Sequence, residues 1–286
     1  MDHMPTPEEI FGSYTSWKLT ENTWIISFMG GSQFLYLLEG KEKALLIDTG
    51  YGMGHLRQYC EKLTDKPILC ANTHFHPDHA AGNAEFAEVI VSEDWEIDKP
   101  TMETGEYPCD TSTFLYPDYK KVLVTEEGYD IDLGGRVIHA KKAKPAHCNS
   151  SVFFFDEGEG MLFTGDDLEC AQVMTINAAE DVGLVFDPKS RLDNMRANTV
   201  WMKELCDSGK VKYLLPNHNG TPIALSYVDD FIGLIDHIYA GDATIEDKLN
   251  HKYVEMDPKS VNYCRVRYNK ASIFIVKSEL MKVYGK

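Results

Sequence analysis

The run THFHPDHAAG at residues 73–82 places His74, His76, Asp78 and His79 within six residues, and it constrains the chain more than any other feature. Imidazole suits zinc, iron or copper, and a carboxylate beside imidazoles favours a catalytic centre over a closed structural one. The cysteines agree: Cys60, Cys70, Cys109, Cys148, Cys170, Cys206 and Cys264 are scattered without a C-x-x-C pair, which excludes a zinc finger or ribbon. Residues 67–73 (PILCANT) predict a short buried strand and residues 80–86 the start of a helix, so the ligand candidates fall on the joining loop. In extended backbone, residues i and i+2 share a face, which lets His74 and His76 converge on one ion. Pro77 then breaks the run, and Asp78 and His79 turn toward a second position at the helix mouth, where the first-turn N–H groups favour a carboxylate.

Four residues are too few for two ions, and further candidates stand at strand ends. Residues 137–144 predict a strand ending in Pro145-Ala146-His147, and residues 151–157 and 160–164 a hairpin whose second strand delivers Gly165-Asp166. Residues 211–215 alternate and end in Pro216-Asn217-His218-Asn219-Gly220. Taken singly these are ordinary loop residues; their order and placement make them candidates.

This ordered set resembles the metallo-β-lactamase superfamily of metallohydrolases: Asp48 in Ile-Asp-Thr-Gly, the H-x-H-x-D-H run, His147, Gly165-Asp166 and His218, with Leu133-Gly134-Gly135-Arg136 before the third histidine. The likeness covers residues 17–240 and implies an α/β fold, a metallo-β-lactamase-like αββα sandwich with both metals at one edge of two sheets. It implies a first position of His74, His76 and His147, a second of Asp78, His79 and His218, and Asp166 bridging. Asp48 would stand behind a ligating histidine and fix its tautomer. Two departures matter. The family's Gly-His-Thr-Pro-Gly is here Ala146-His147-Cys148-Asn149-Ser150, which leaves the loop conformation open; Cys148 reads as a small packing residue. Lactonases of acylated homoserine lactones carry a tyrosine soon after the bridging aspartate, where this chain has Asp167-Leu168-Glu169.

The expected function is a dinuclear metal-dependent hydrolase, with two divalent ions, zinc favoured and manganese or iron as alternatives. Metal-bound hydroxide would attack the ester, thioester, lactone or amide carbonyl of a small apolar molecule, with Asp78 as the catalytic residue that orients it and passes on a proton. No G-x-S-x-G elbow offers a serine nucleophile. Two other readings stay open: an iron-dependent persulfide dioxygenase, and a metal-containing binding or regulatory protein with little turnover. Flavodiiron proteins put a glutamate where His76 stands and add a flavodoxin domain that is missing here.

A chain of 286 residues, 43% hydrophobic and without a Gly/Ser linker, predicts a single domain over 1–286, with a core at 17–240 and a C-terminal hairpin at 261–276 completing a sheet. The start MDHMPTPEEI has no signal-peptide pattern, no apolar run approaches the ~20 residues of a membrane span, and seven scattered cysteines suit a reducing compartment, so a cytoplasmic protein is expected. A net charge of −17 disfavours nucleic acid and leaves a small-molecule substrate as the expected partner. Segments 93–120 and 170–189 are expected to wall the substrate pocket through Trp95, Phe114, Tyr116, Met174 and Phe186. Ser190 and Ser226 are expected to open helices, Gly241 to close the second, residues 54–63 to form a third, and Lys141, Lys142 and Lys144 to sit on a solvated strand edge.

Overall fold

A computed structural model describes residues 14–28, 31–104, 119–175, 187–246 and 263–285. The first sheet runs in chain order through β1 (Thr15–Thr20), β2 (Thr23–Phe28), β3 (Gln33–Glu39), β4 (Ala44–Ile47), β5 (Ile68–Ala71), β6 (Glu88–Ser92) and β7 (Lys120–Val124). It is antiparallel up to β4 and parallel from there to β7. The second sheet takes β8 (Tyr129–Asp132), β9 (Val137–Lys142), β10 (Val152–Asp156) and β11 (Met161–Gly165). After β12 (Val173–Met174), which belongs elsewhere, β13 (Tyr213–Pro216) joins this sheet parallel to β11, giving the order β13-β11-β10-β9-β8.

Strand alternation sorts side chains into layers. Ile25, Tyr36, Leu45 and Ile47 meet Ile138, Phe154, Phe163 and Leu215 between the sheets. The other face of the first sheet packs Ile26, Leu35, Leu37 and Leu46 on α1 (Leu56–Cys60). The other face of the second sheet lays Phe153, Leu162 and Leu214 under long helices, labelled below α4 and α5. Each large apolar side chain sealed in these layers contributes about 1.5–3 kcal/mol.

Several expectations are corrected. The helix after the histidine run starts at Pro77, not Ala80: α2 (Pro77–Ala80) is one turn, continued as 3-10 helix over Ala81–Glu85, because proline is pre-organised for a first helical position. Within the 93–120 segment, α3 (Trp95–Thr104) is helical. In α4 (Pro188–Asp207) the cap is Asp187, whose carboxylate accepts from the Ser190 N–H and hydroxyl at 2.8 and 2.7 Å. Ser226 stands at the cap position of α5 (Tyr227–Ala240) in helical conformation, with no side-chain cap bond, while Gly241 closes it at φ 76°. The C-terminal hairpin β15 (Tyr263–Tyr268) and β16 (Ala271–Val276) completes neither sandwich sheet; with β12 and β14 (Thr244–Glu246) it builds a third sheet, followed by α6 (Lys277–Val283). Strand β9 lies inside its sheet, and Lys142 is bound to Glu93, Asp94 and Glu126 at 2.9, 2.6 and 2.9 Å.

The Leu133-Gly134-Gly135-Arg136 turn locks the sheets together. Asp132 Oδ1 accepts from the N–H groups of Gly134 and Gly135, and both glycines take φ near +90°, at 92° and 91°, which suits residues without Cβ. Arg136 then reaches across: Nε donates to Asp156 Oδ2 at 2.7 Å, Nη1 to the carbonyls of Asn22 and Glu39 at 2.8 Å, and Nη2 to Thr23 Oγ1 at 2.8 Å. The Asp156 side chain is 1% exposed, so Arg136→Ala strands a buried charge. A loss of about 3–5 kcal/mol is expected in urea unfolding; a loss below about 1 kcal/mol would show that solvent reaches Asp156 freely.

Candidate metal centre

The two sheets bring their strand ends to one edge. Strand β4 leads into Asp48, β5 into Thr73 and the histidine run, the β9–β10 connection carries His147, β11 ends at Gly165 directly before Asp166, and β13 leads into Asn217-His218. Register aligns them: Ile47 pairs with Ala71 and Gly165 with Pro216. The sheets touch where Val152 N–H donates to the Thr73 carbonyl at 2.6 Å. Gly165 takes φ 57°, and a Cβ there would lie 2.9 Å from Thr73 Cβ, so glycine before Asp166 is a steric requirement.

Two clusters of ligand-type atoms form at this edge. One is His74, His76 and His147; the other is Asp78, His79, Asp166 and His218, with the atoms of each within 4.8 Å of one another. Asp166 Oδ2 lies 3.9 and 3.8 Å from His74 Nε2 and His147 Nε2, and 3.3 and 3.6 Å from His79 Nε2 and His218 Nε2, between the two sets. Asp78 and His218 are the more open members, their side chains 23% and 20% exposed.

Neighbours behind the rings decide which nitrogens face inward. His79 Nδ1 meets Asp48 Oδ2 at 3.0 Å, His147 Nδ1 the Met174 carbonyl at 2.8 Å, and His218 Nδ1 the Ser32 carbonyl at 2.6 Å. Facing acceptors, these nitrogens hold the proton that the neutral ring keeps, which leaves Nε2 of each as the atom turned toward the cluster and available to an ion. Thr73 Oγ1 donates to Asp48 Oδ2 at 2.7 Å, which leaves it to accept from His74 Nδ1 at 3.1 Å. His79 Nε2 and His218 Nε2 then face each other at 3.2 Å, and His147 Nε2 faces His76 Nδ1 at 3.1 Å. His74 Nε2 and Asp166 Oδ1 are buried with no hydrogen-bond partner among the described residues. Ring nitrogens turned toward each other, beside orphaned buried acceptors, fit divalent cations.

Electrostatics divides the clusters. Burial and mutual repulsion hold His74, His76 and His147 below the usual histidine value, so they stay neutral. Burial opposes charge on His218 as well, but Asp166, Asp78 and Glu169 outweigh it and lift its pKa to about 10; Asp166, Asp78 and Asp48 likewise hold His79 well above normal. Against a burial that would raise them, His79 and His218 keep the carboxyls of Asp78 and Asp166 well below the ordinary range.

All the sequence-derived ligand candidates converge here, and Asp48 stands behind His79, its Oδ2 3.0 Å from Nδ1. Cys148 lies outside both clusters, buried with its Sγ 3.3 Å from Ser151 Oγ. Met174 presents its carbonyl to His147, and Trp95 packs on Phe75 with ring centroids 5.3 Å apart while Lys121 Nζ sits 4.3 Å over its face. Phe114, Tyr116 and Phe186 lie outside the described residues. Sequence reasoning missed Thr73, Asn217 and Asp98. The first two flank the metal motifs directly, which was the available signal; the carbonyls of Ser32 and Met174 have none.

A proton count tests this electrostatic division. With a pKa of about 10, His218 is charged at pH 7 when no ion is near. A divalent ion must displace that proton, so affinity for the second cluster should rise with pH through roughly 6 to 9. Adding zinc to metal-free protein in weak buffer at pH 7 should release protons, and His218→Asn should release fewer. Proton-neutral binding would contradict the charge assignment.

Comparison with known proteins accords with the geometry. The family model described as "Metallo-beta-lactamase superfamily" matches residues 29–188. The chain is similar to the acyl-coenzyme A thioesterase MBLAC2 of Homo sapiens, 26% identical over 220 residues, 67% of this chain and 75% of that protein. It is 25% identical to the Bos taurus protein of the same name over the same shares. Among solved structures, a metallo-beta-lactamase from Pontibacter korlensis matches 78% of this chain and 99% of its own, with TM-score 0.57 and 18% identity, a likeness of fold.

Proposed function

Given that the chain belongs to the metallo-beta-lactamase superfamily and is a metal-dependent hydrolase, we propose that it cleaves acyl thioesters of the coenzyme A type at a dinuclear centre. The observation that carries this reading is the pair of adjoining clusters on either side of Asp166, with imidazole nitrogens and the unpaired His74 Nε2 and Asp166 Oδ1 gathered within each. The first position is His74, His76 and His147; the second is Asp78, His79 and His218; Asp166 is shared. The name of the 26%-identical relative supports a thioester among the carbonyl substrates considered.

Divalent ions held there, zinc being favoured, would lower the pKa of water toward about 7 and polarise the carbonyl. The chain's own residues do the rest. Asp78 is 23% exposed, and its Oδ2 stands 3.2 Å from His218 Nε2. Gln33 donates to the Asp78 backbone carbonyl and fixes the turn. At the more open side of the second position, the Asp78 carboxylate accepts the proton of the attacking water and delivers it to the departing sulfur as the C–S bond breaks. The products are a free thiol and a carboxylic acid, which releases its proton to solvent to become the carboxylate. Met174, half-buried beside His147, would offer an apolar side chain to an acyl group bound there.

Purified protein offered acyl-coenzyme A esters of increasing chain length should release thiol, stop with chelator, and recover with zinc. His76→Ala should abolish turnover, and Asp78→Asn should lower kcat by about 10²-fold or more while the fold persists. Oxygen uptake with a persulfide, without thiol release from any thioester, would overturn the hydrolase in favour of a dioxygenase.

Elemental analysis provides a separate check: two ions per chain are expected, with Asp166→Ala lowering occupancy of both positions. Fully loaded protein containing one ion would exclude the dinuclear arrangement.

A further inference from the structure

Asp98 on α3 is 1% exposed and belongs to neither ligand cluster. Its Oδ1 accepts from Asn149 Nδ2 at 2.9 Å and its Oδ2 from the Ser150 N–H at 2.6 Å. Those residues follow His147 by two and three positions, where this chain lacks the Thr-Pro-Gly that would stiffen the turn. Ser150 Oγ in turn accepts from the Phe75 N–H at 2.9 Å, and Phe75 sits between His74 and His76. One helical turn before Asp98, Trp95 packs on the Phe75 ring with centroids 5.3 Å apart. A single helix therefore grips both loops that supply the first cluster: one through a buried carboxylate, the other through an aromatic contact, with Ser150 joining them.

We propose that Asp98 is a positioning residue that sets the affinity of His74, His76 and His147 for their ion, doing with a buried carboxylate what a proline turn would do locally. The inference rests on the two-ion reading above. Ion binding requires three imidazoles from two separate loops to keep a fixed spacing, and each hydrogen bond to Asp98 or Ser150 removes freedom the ion would otherwise have to freeze out. The second cluster is supported from elsewhere, by Asp48 and Ser32. Loss of Asp98 should accordingly weaken one ion and spare the other.

The test compares wild-type protein with Asp98→Asn, which turns one of two acceptors into a donor, and with Ser150→Ala, which cuts only the tie to Phe75. Chelator competition with zinc, elemental analysis after dialysis and the visible spectrum of the cobalt-substituted protein report the two positions. Both variants are expected to weaken one of the two ions by about tenfold or more, perturb one cobalt environment, and leave the other ion's affinity and cobalt environment as in the wild type. Ile97→Ala, at a side chain 44% exposed on the same helix, should bind both ions normally. If Asp98→Asn does not fold, Asn149→Ala removes the Oδ1 bond alone and should weaken the same ion. Native affinity for both ions in the variants would overturn the proposal, as would equal weakening of both together with a lowered metal-free midpoint. Wild-type protein that binds no ion would instead sink the two-ion reading beneath it.

Discussion

The edge where the two sheets meet depends on the fully buried carboxylate of Asp48. It accepts from Thr73 N–H and Oγ1, both at 2.7 Å, from Asn217 Nδ2 at 2.8 Å, and from His79 Nδ1 at 3.0 Å. These bonds join the end of β4 to the ends of β5 and β13, strands from both sheets. A buried carboxylate is costly unless its lone pairs are filled, and four donors fill them. Asp48 adopts φ 65°, a left-handed conformation that non-glycine residues seldom take, and the bonds around its side chain hold it there.

From that anchor the centre acquires its polarity. Three histidines packed together and desolvated remain neutral donors, while two histidines among carboxylates carry a higher proton affinity. The same imidazole chemistry thus yields two positions of different character, the more open one including Asp78. Catalysis at such a place draws on preorganisation, since the rings are oriented by groups behind them before any substrate arrives. The supports differ too. The second position leans on the sheet ends through Asp48 and on the Ser32 carbonyl, whereas the first depends on the Met174 carbonyl and the turn held by α3.

What was legible in the sequence was whatever is encoded at short range. The H-x-H-x-D-H spacing follows from strand and turn geometry, so His74, His76, Asp78 and His79 stood out together. His147, Asp166 and His218 were legible by order alone, each directly after a predicted strand. Ser226 marked the start of α5, but Ser190 misled because cap propensity is local while the helix start depends on the incoming chain; Pro188 placed the first turn of α4 one residue after Asp187, which outcompeted Ser190. The terminal hairpin was recognised by alternation, but nothing local specifies which sheet it joins, and it paired with Val173–Met174 and Thr244–Glu246.

The sequence by itself determined the ligand-type residues and the strand-loop alternation, because periodicity and motif spacing act over a few residues at a time, while the αββα layering followed only from the family resemblance that those motifs carry. Only the tertiary structure decided which nitrogen each histidine presents, how the ligands divide into a neutral and a carboxylate-rich cluster, and that Asp98 holds a turn 51 positions away in the chain. Those properties arise from burial and from backbone carbonyls such as those of Ser32 and Met174. Every residue has a carbonyl; its meaning comes from what packing places opposite it.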